Sequence, residues 1–379
     1  MFEYQAQQRY FGQIAGGMED LGAAELEALG AVDIRPAYRG LYFEADPAAL
    51  YRINYCSRLF SRVLAPLASF KCTHPDQLYQ HAKALTWERL FSYKHTFAIF
   101  ANVSHSKITH SRYAALRLKD AIVDYFRDHQ RFRPSVDTDN PDVWLNLHIE
   151  NDRAVISLDT SGGSLHKRGY RKKTIEAPMQ ETLAAAIIRL SEWDGARPLY
   201  DPMCGSGTLL CEALMAYCRL PANYNRNDFG FRFLEDYQQE TWEKIQLEAA
   251  EKIRPLPEGL IGGSDSSYKA IAASKTNHRA LLYGEQVKLR VADFRKLPQL
   301  ENQVIVCNPP YGVRLGKQDE IIRLYKDFGD FLKKRCQGSV AYVYFGERTL
   351  IGNIGLRPAW KKPLVNGALD GRLAKFEIY

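Results

Sequence analysis

No two cysteines in this chain form a Cys-x-x-Cys pair, which removes the usual framework of a structural zinc site. The seven present, at 56, 72, 204, 211, 218, 307 and 336, are odd in number and widely spaced, as in a reduced cytoplasmic protein rather than a disulfide scaffold. No apolar run approaches the roughly 18 residues of a membrane span. The N-terminus MFEYQAQQRYFGQIAGG has neither the basic stretch nor the apolar core of a secretory signal. Low-complexity tracts and internal repeats are also missing. These absences set aside a membrane protein, an exported disulfide protein and a solenoid, and leave a soluble cytoplasmic one.

What is present is ordinary globular composition, 46% hydrophobic and 25% charged, with a net charge of +7 over 379 residues. That excess permits a polyanionic partner without requiring one. The first 60 or so residues alternate strand, helix and strand: YFGQIAG, MEDLGAAELEALG and GLYFEAD. A helix is expected over about 51–63. TFAIFANVSH then reads as a strand, SRYAALRLKDAIVDYFRDHQ as an amphipathic helix, and VWLNLHIENDRAVISLDTSG as a hairpin turning at Asn151-Asp152. This order suggests a small α+β module.

After a basic connector, strand and helix alternate regularly from PLYDPM to SVAYVYFG, the pattern of a doubly wound parallel sheet. The boundary falls between roughly 165 and 178.

The first strand of that half ends in Asp201-Pro-Met-Cys204-Gly205-Ser206-Gly207-Thr208 and opens a helix, where such folds bind nucleotide-like ligands. Gly205 and Gly207 let a ligand approach the backbone. No Gly-Lys-Ser/Thr follows, so this is not a phosphate loop, and the spacing is not that of a dinucleotide fold. The next strand ends at Asp265, with Ser266 beside it, placed to accept from ribose hydroxyls. The third ends at Asp293-Phe294, where a carboxylate beside an aromatic ring suits an adenine amino group. A lone aspartate at a strand end is more often a helix cap; three strand ends with ordered chemistry point to an adenosine cofactor without phosphates.

The fourth strand ends Cys307-Asn308-Pro309-Pro310-Tyr311. Consecutive prolines leave carbonyls that no local amide claims. The Asn308 oxygen and Pro309 carbonyl can accept both hydrogens of an exocyclic amine, with Tyr311 stacked on the base. Asn-Pro-Pro-Tyr serves guanine N2 and adenine N6 alike. Cys307 is not expected to act as a nucleophile. Cys211 and Cys218 are expected on the buried face of the helix after the glycine loop.

The pairing of DPMCGSGT with NPPYG resembles the class I amino-methyltransferases. SGGSLHKRGYRKKTIEAPMQETLAAAIIRLSEW, DPMCGSGTLLCEA, NPPYGVRLG and LVNGALDGRLAKFEIY are similar to the THUMP-containing RNA guanine-N2 methyltransferases, nearest the RlmL family acting on large-subunit ribosomal RNA. The resemblance implies a ferredoxin-like segment over 1–60, a THUMP RNA-binding domain over 61–165, a basic linker over 166–177, and a seven-stranded Rossmann-like methyltransferase domain over 178–379. It implies S-adenosylmethionine as cofactor, held by Cys204, Gly205, Ser206, Gly207, Asp265 and Asp293, with Pro178 and Glu181 near its methionine end. Asn308, Pro309 and Tyr311 would hold the base. Many members carry a second methyltransferase domain; this chain ends before one could begin, so a second activity is not expected.

RNA contacts are expected from Lys167, Arg168, Tyr170, Arg171, Lys172 and Lys173 in the connector, and from Arg112 and Arg117 on the long helix. The implied partner is 23S ribosomal RNA or a precursor particle, with transfer RNA as an alternative. A non-catalytic RNA-binding assembly factor is the reading from another class, and a small-molecule methyltransferase ranks last. Oligomeric state is not legible.

Overall fold

A computed structural model describes residues 1–175, 179–311, 318–367 and 369–379, and elements are counted among these. The N-terminal half is built on eight strands: β1 (Arg9–Gln13), β2 (Val32–Ala37), β3 (Gly40–Glu44), β4 (Arg62–Lys71), β5 (Thr96–Ser104), β6 (Ser135–Val136), β7 (Val143–Glu150) and β8 (Arg153–Asp159). They form one sheet in the order β2-β3-β1-β4-β8-β7-β5-β6. Helices α1 (Glu3–Gln7), α2 (Glu19–Ala28), α3 (Pro47–Cys56), α4 (Pro75–Lys83) and α5 (Ser111–Gln130) accompany it. β4 pairs with β1 on one side and β8 on the other, so a single strand joins the first β-unit to the second. The β7–β8 turn has Asn151 at φ +49° and Asp152 at φ +59°, the tight hairpin that the sequence announced.

α3 begins at Pro47, earlier than the expected 51, because Asp46 caps it by accepting from the Ala49 amide at 2.7 Å. β2 was not expected. Its residues are mostly exposed, so alternation carries little signal there.

The second half runs α6 (Glu181–Leu190), β9 (Leu199–Asp201), α7 (Thr208–Tyr217), α8 (Gln239–Glu251), β10 (Ile261–Asp265), α9 (Tyr268–Arg279), β11 (Lys288–Val291), β12 (Val304–Cys307), α10 (Gln318–Arg335), β13 (Val340–Phe345), β14 (Trp360–Pro363) and β15 (Arg372–Glu377). The sheet order is β11-β10-β9-β12-β13-β15-β14, with β15 antiparallel to both of its neighbours. All four residues of β12 are buried, as a strand covered on both faces requires. Strand order reverses between β9 and β12, and the C-terminal ends of strands at such a switch point are where folds of this kind bind ligands. Among the described residues no helix is long and apolar enough to cross a membrane.

The two halves share a buried aromatic seam. Tyr51 of α3 meets Phe231 at 4.5 Å between ring centroids, and Tyr55 meets Trp242 of α8 edge-on at 5.2 Å. The Phe231 amide donates to the Thr160 carbonyl at 2.8 Å. Arg58 crosses the seam to the Met215 and Leu220 carbonyls at the end of α7, where a helix favours a cation.

Candidate active site

The glycine loop occupies the 202–207 turn between β9 and α7. The Cys204 amide donates to the Ser264 carbonyl at 2.9 Å, and the Gly205 amide donates to Asp265 Oδ2 at 3.0 Å. Gly207 sits at φ +84°, and a Cβ there would lie 2.3 Å from Ser274 Oγ and 2.6 Å from the His278 ring. Positive φ and the close approach of α9 both demand glycine. Ser206 in the turn and Thr208 at the start of α7 are buried. Asp265, partly exposed at the tip of β10, also accepts from the Ser267 amide, which leaves lone pairs for a further donor. Ser266 beside it is exposed.

Asn277 ties this loop to the connector, a role the sequence did not announce. Its Oδ1 accepts from the Lys172 and Lys173 amides, both at 2.9 Å. Its Nδ2 donates to the Lys173 carbonyl at 2.9 Å and the Ser206 carbonyl at 3.0 Å. Asn277→Ala leaves the buried Ser206 carbonyl without this donor, at about 1–3 kcal/mol, and releases the connector backbone at Lys172 and Lys173. A lower Tm and weaker binding of S-adenosylhomocysteine are expected, measured by calorimetry.

Asp293 is a cap: it accepts from the Arg295 amide at 2.9 Å and pairs with that guanidinium at 2.9 Å. The Phe294 ring corrects the expectation of an aromatic wall for adenine. It is buried between Phe328 and Phe331 of α10, at 5.5 and 5.7 Å between centroids, because α10 needs that ring for its own core.

Asp201 is buried, and burial pushes its carboxyl up to about 8; the Met203 amide opposes the shift, nearby Asp265 adds to it, and the Cys307 thiol opposes it. The folded chain therefore holds this proton where the unfolded chain has released it. Its stabilising effect is complete below about pH 4 and is lost progressively as pH rises to about 8. His278, held at about 4 by burial, titrates oppositely, weakening the fold as pH falls below 6.5. Asp201→Asn keeps the neutral shape, so the Tm of the wild type is expected to fall relative to this variant between pH 5 and 8. Parallel curves would refute this.

Beyond β12, Asn308 Oδ1 is shut off from solvent and has no hydrogen-bond partner among the described residues. A buried orphan acceptor costs about 1–3 kcal/mol, a penalty that an incoming N–H relieves. Pro309 is buried and Pro310 exposed. The Tyr311 ring, half-buried, meets Tyr344 edge-on at 6.5 Å and lies against Gly346, where a Cβ would sit 2.3 Å from the ring. Gly346, at the end of β13, thus shapes the tyrosine's seat. No local motif marks it. Burial drives the Cys204 and Cys307 thiols well above their ordinary range, so neither is a thiolate nucleophile. Cys211 and Cys218 are fully buried.

The connector divides in a way the sequence did not show. Lys167, Lys172 and Lys173 are exposed. Arg168 and Tyr170 are each 1% exposed, which corrects their assignment as RNA contacts. Arg168 donates to the Leu165 carbonyl at 2.7 Å and approaches Glu212 at 3.5 Å; the Tyr170 hydroxyl donates to the same carboxylate at 3.1 Å. Arg171 is corrected likewise: it donates to Glu181 Oε1 at 2.8 Å and to the Met179 carbonyl at 2.7 Å. The connector runs along the seam, so its alternate residues pack inward. Glu181 is buried at the start of α6, and Pro178 lies outside the described residues. On α5, Arg112 is exposed, whereas Arg117 pairs with Asp76 at 2.9 Å and lies over the Tyr79 ring.

With this geometry in view, residues 168–375 match the model of the RMKL-like methyltransferase domain. The chain belongs to the RMKL-like methyltransferase family. Residues 72–159 match the THUMP domain and 10–64 the RlmL ferredoxin-like domain. The chain is 38% identical to a putative RNA methyltransferase of Synechocystis, over 98% of this chain and 97% of that one. It is 41% identical to the ribosomal RNA large subunit methyltransferase K/L of Syntrophotalea carbinolica, covering 98% of this chain but 53% of that protein. It therefore spans about half the length of that relative. Among solved structures, a putative methyltransferase complexed with S-adenosylhomocysteine superposes with a TM-score of 0.86 at 26% identity, over 98% of both chains. This RMKL-like chain thus has a class I methyltransferase sheet behind ferredoxin-like and THUMP units.

Proposed function

We propose that this protein methylates the exocyclic N2 amine of a guanine in 23S ribosomal RNA, in the cytoplasm, on naked RNA or a precursor of the large subunit. The observation that carries the reading is the Asn308 oxygen, buried without a partner among the described residues just past β12, the strand paired with the one that leads into the glycine loop. The names of the Synechocystis and Syntrophotalea relatives support RNA and, in the second case, the large ribosomal subunit. S-adenosylmethionine is the cofactor, and when bound it supplies a methyl group already activated by a positive sulfur.

The glycine loop fits an adenosine ligand: Gly205 takes φ +54°, and a Cβ there would already press on the Ile175 side chain at 3.1 Å, so only a bare backbone leaves the loop surface for a ligand. Asp265 would hold the ribose, Asp293 the adenine edge, and Asp201, Cys204, Ser206, Gly207 and Thr208 the shape of the loop. Glu181 and Pro178 would lie toward the amino-acid end. Asn308 and Pro309 accept the two N–H groups, and Pro310 stiffens the turn. Tyr311 stacks on the base, so the nitrogen lone pair is aimed rather than chemically activated. Exposed Lys167, Lys172, Lys173 and Arg112 would contact phosphates.

The test is methyl transfer from labelled S-adenosylmethionine to ribosomal and transfer RNA from a deletion strain, read by nucleoside mass spectrometry. N2-methylguanosine in 23S RNA supports the proposal. N6-methyladenosine moves the target to the other amine, transfer RNA replaces the substrate, and no transfer at all leaves an RNA-binding factor.

A further inference from the structure

At the far end of α5 an exposed aromatic ring, Phe132, lies on a half-buried one, Tyr93. The helix stops at Arg131, which takes the left-handed conformation (φ +64°) and donates its amide to the Arg127 carbonyl. Phe132 follows, 58% exposed, with its ring parallel to that of Tyr93 at 4.8 Å between centroids and 19° between planes. Lys94, Arg131 and Arg133 flank the pair and are exposed. None has a carboxylate partner among the described residues, although ion pairs occupy Arg117 and Arg127 on the same helix. Of the acids in the following loop, Asp137 accepts the Asp139 and Asn140 amides, and Asp142 accepts from Thr96.

We infer that Tyr93 and Phe132, with Lys94, Arg131 and Arg133, form a stacking platform for an unpaired nucleotide of RNA. An isolated exposed phenylalanine needs no explanation, but one held flat against a second ring and surrounded by unpaired cations presents what single-stranded RNA recognises. Its face suits a base, and its charges suit the phosphates on either side. A paired duplex hides its base faces, so the platform selects a loop, bulge or end.

The platform also borders the catalytic half. His95, beside Lys94, packs edge-on against Phe233 at 5.3 Å between ring centroids. RNA seated here therefore lies at the seam, beside the domain that carries Asn308. The inference rests on RNA being the substrate and adds where an unpaired nucleotide outside the active site is gripped.

The experiment uses the full chain and fluorescence anisotropy with a labelled adenosine dodecamer, the same strand in a perfect duplex, and polyglutamate. Tight binding is expected for the single strand over the duplex and polyglutamate. Phe132→Ala should weaken it about 10-fold and Phe132→Tyr should restore it. Changing Arg131 and Arg133 to serine should lower the slope of log affinity against log salt by about 1.4. S-adenosylhomocysteine affinity and Tm should stay at wild-type values, which separates the platform from a folding defect. Wild-type affinity in Phe132→Ala or Phe132→Leu, or equal binding of polyglutamate, overturns the platform. If the wild type methylates RNA while Phe132→Ala binds normally, only the platform falls. If the wild type neither binds nor methylates any RNA, the proposed function falls with it.

Discussion

Asn308→Ala is expected to lower the rate of methyl transfer by about 100-fold or more, while S-adenosylhomocysteine still binds with wild-type affinity. The Asn308 Oδ1 is buried without a partner among the described residues, just past a fully buried strand. That oxygen contributes nothing to the fold, so its removal should leave Tm unchanged or raise it, since an unsatisfied acceptor disappears. The loss falls on the reacting geometry, because an amine held by one acceptor instead of two no longer keeps its lone pair on line. Asn308→Asp separates position from charge: it keeps an acceptor at the same place and should retain more activity than alanine. Single-turnover rates and calorimetric binding decide the matter. If alanine loses cofactor affinity as much as rate, Asn308 supports the cofactor site and does not hold the base.

The second large effect concerns the seam. Glu212, on α7 and 1% exposed, faces Arg168 of the connector at 3.5 Å and Arg58 of the N-terminal half at 3.9 Å, and it accepts from Tyr170 at 3.1 Å. Burial pushes its carboxyl up, and the two guanidiniums pull it back down. Glu212→Ala strands the buried Arg168 beside the part-buried Arg58, and removing one partner of a buried ionic cluster typically costs about 3–5 kcal/mol. Denaturant unfolding should show this loss, with a second transition if the halves separate. A variant that also changes Arg58 and Arg168 to methionine should recover much of it, because the uncompensated charges go with the carboxylate. If Glu212→Ala unfolds like the wild type, the cluster is an incidental contact and the aromatic seam alone joins the halves.

How much of this was legible differs from residue to residue. Gly205, Gly207 and the Asn308–Tyr311 turn were readable because each lies in a contiguous motif at a strand end, where chain order and spatial order coincide. The parallel sheet and the β7–β8 hairpin were readable for a related reason, since their periodicities are local. Asn277 was not, because its partner Ser206 lies 71 positions away and a lone asparagine on a helix announces nothing. Gly346 was hidden likewise: only the finished sheet brings it under the Tyr311 ring. The Phe132 platform escaped as well, since its second ring comes from the loop before β5.

The connector shows the division most clearly. By itself the sequence determined that five cations fall within the seven residues from 167 to 173, next to a class I methyltransferase domain. It also determined the order of chemistry along the strand ends, since motif and strand are continuous in the chain. Only the tertiary structure decided that Lys167, Lys172 and Lys173 face solvent while Arg168 and Arg171 neutralise Glu212 and Glu181. A charge reads the same in sequence whichever way it points. Its direction is set by carboxylates on α6 and α7, and burial next to them makes pairing within the protein more favourable than exposure.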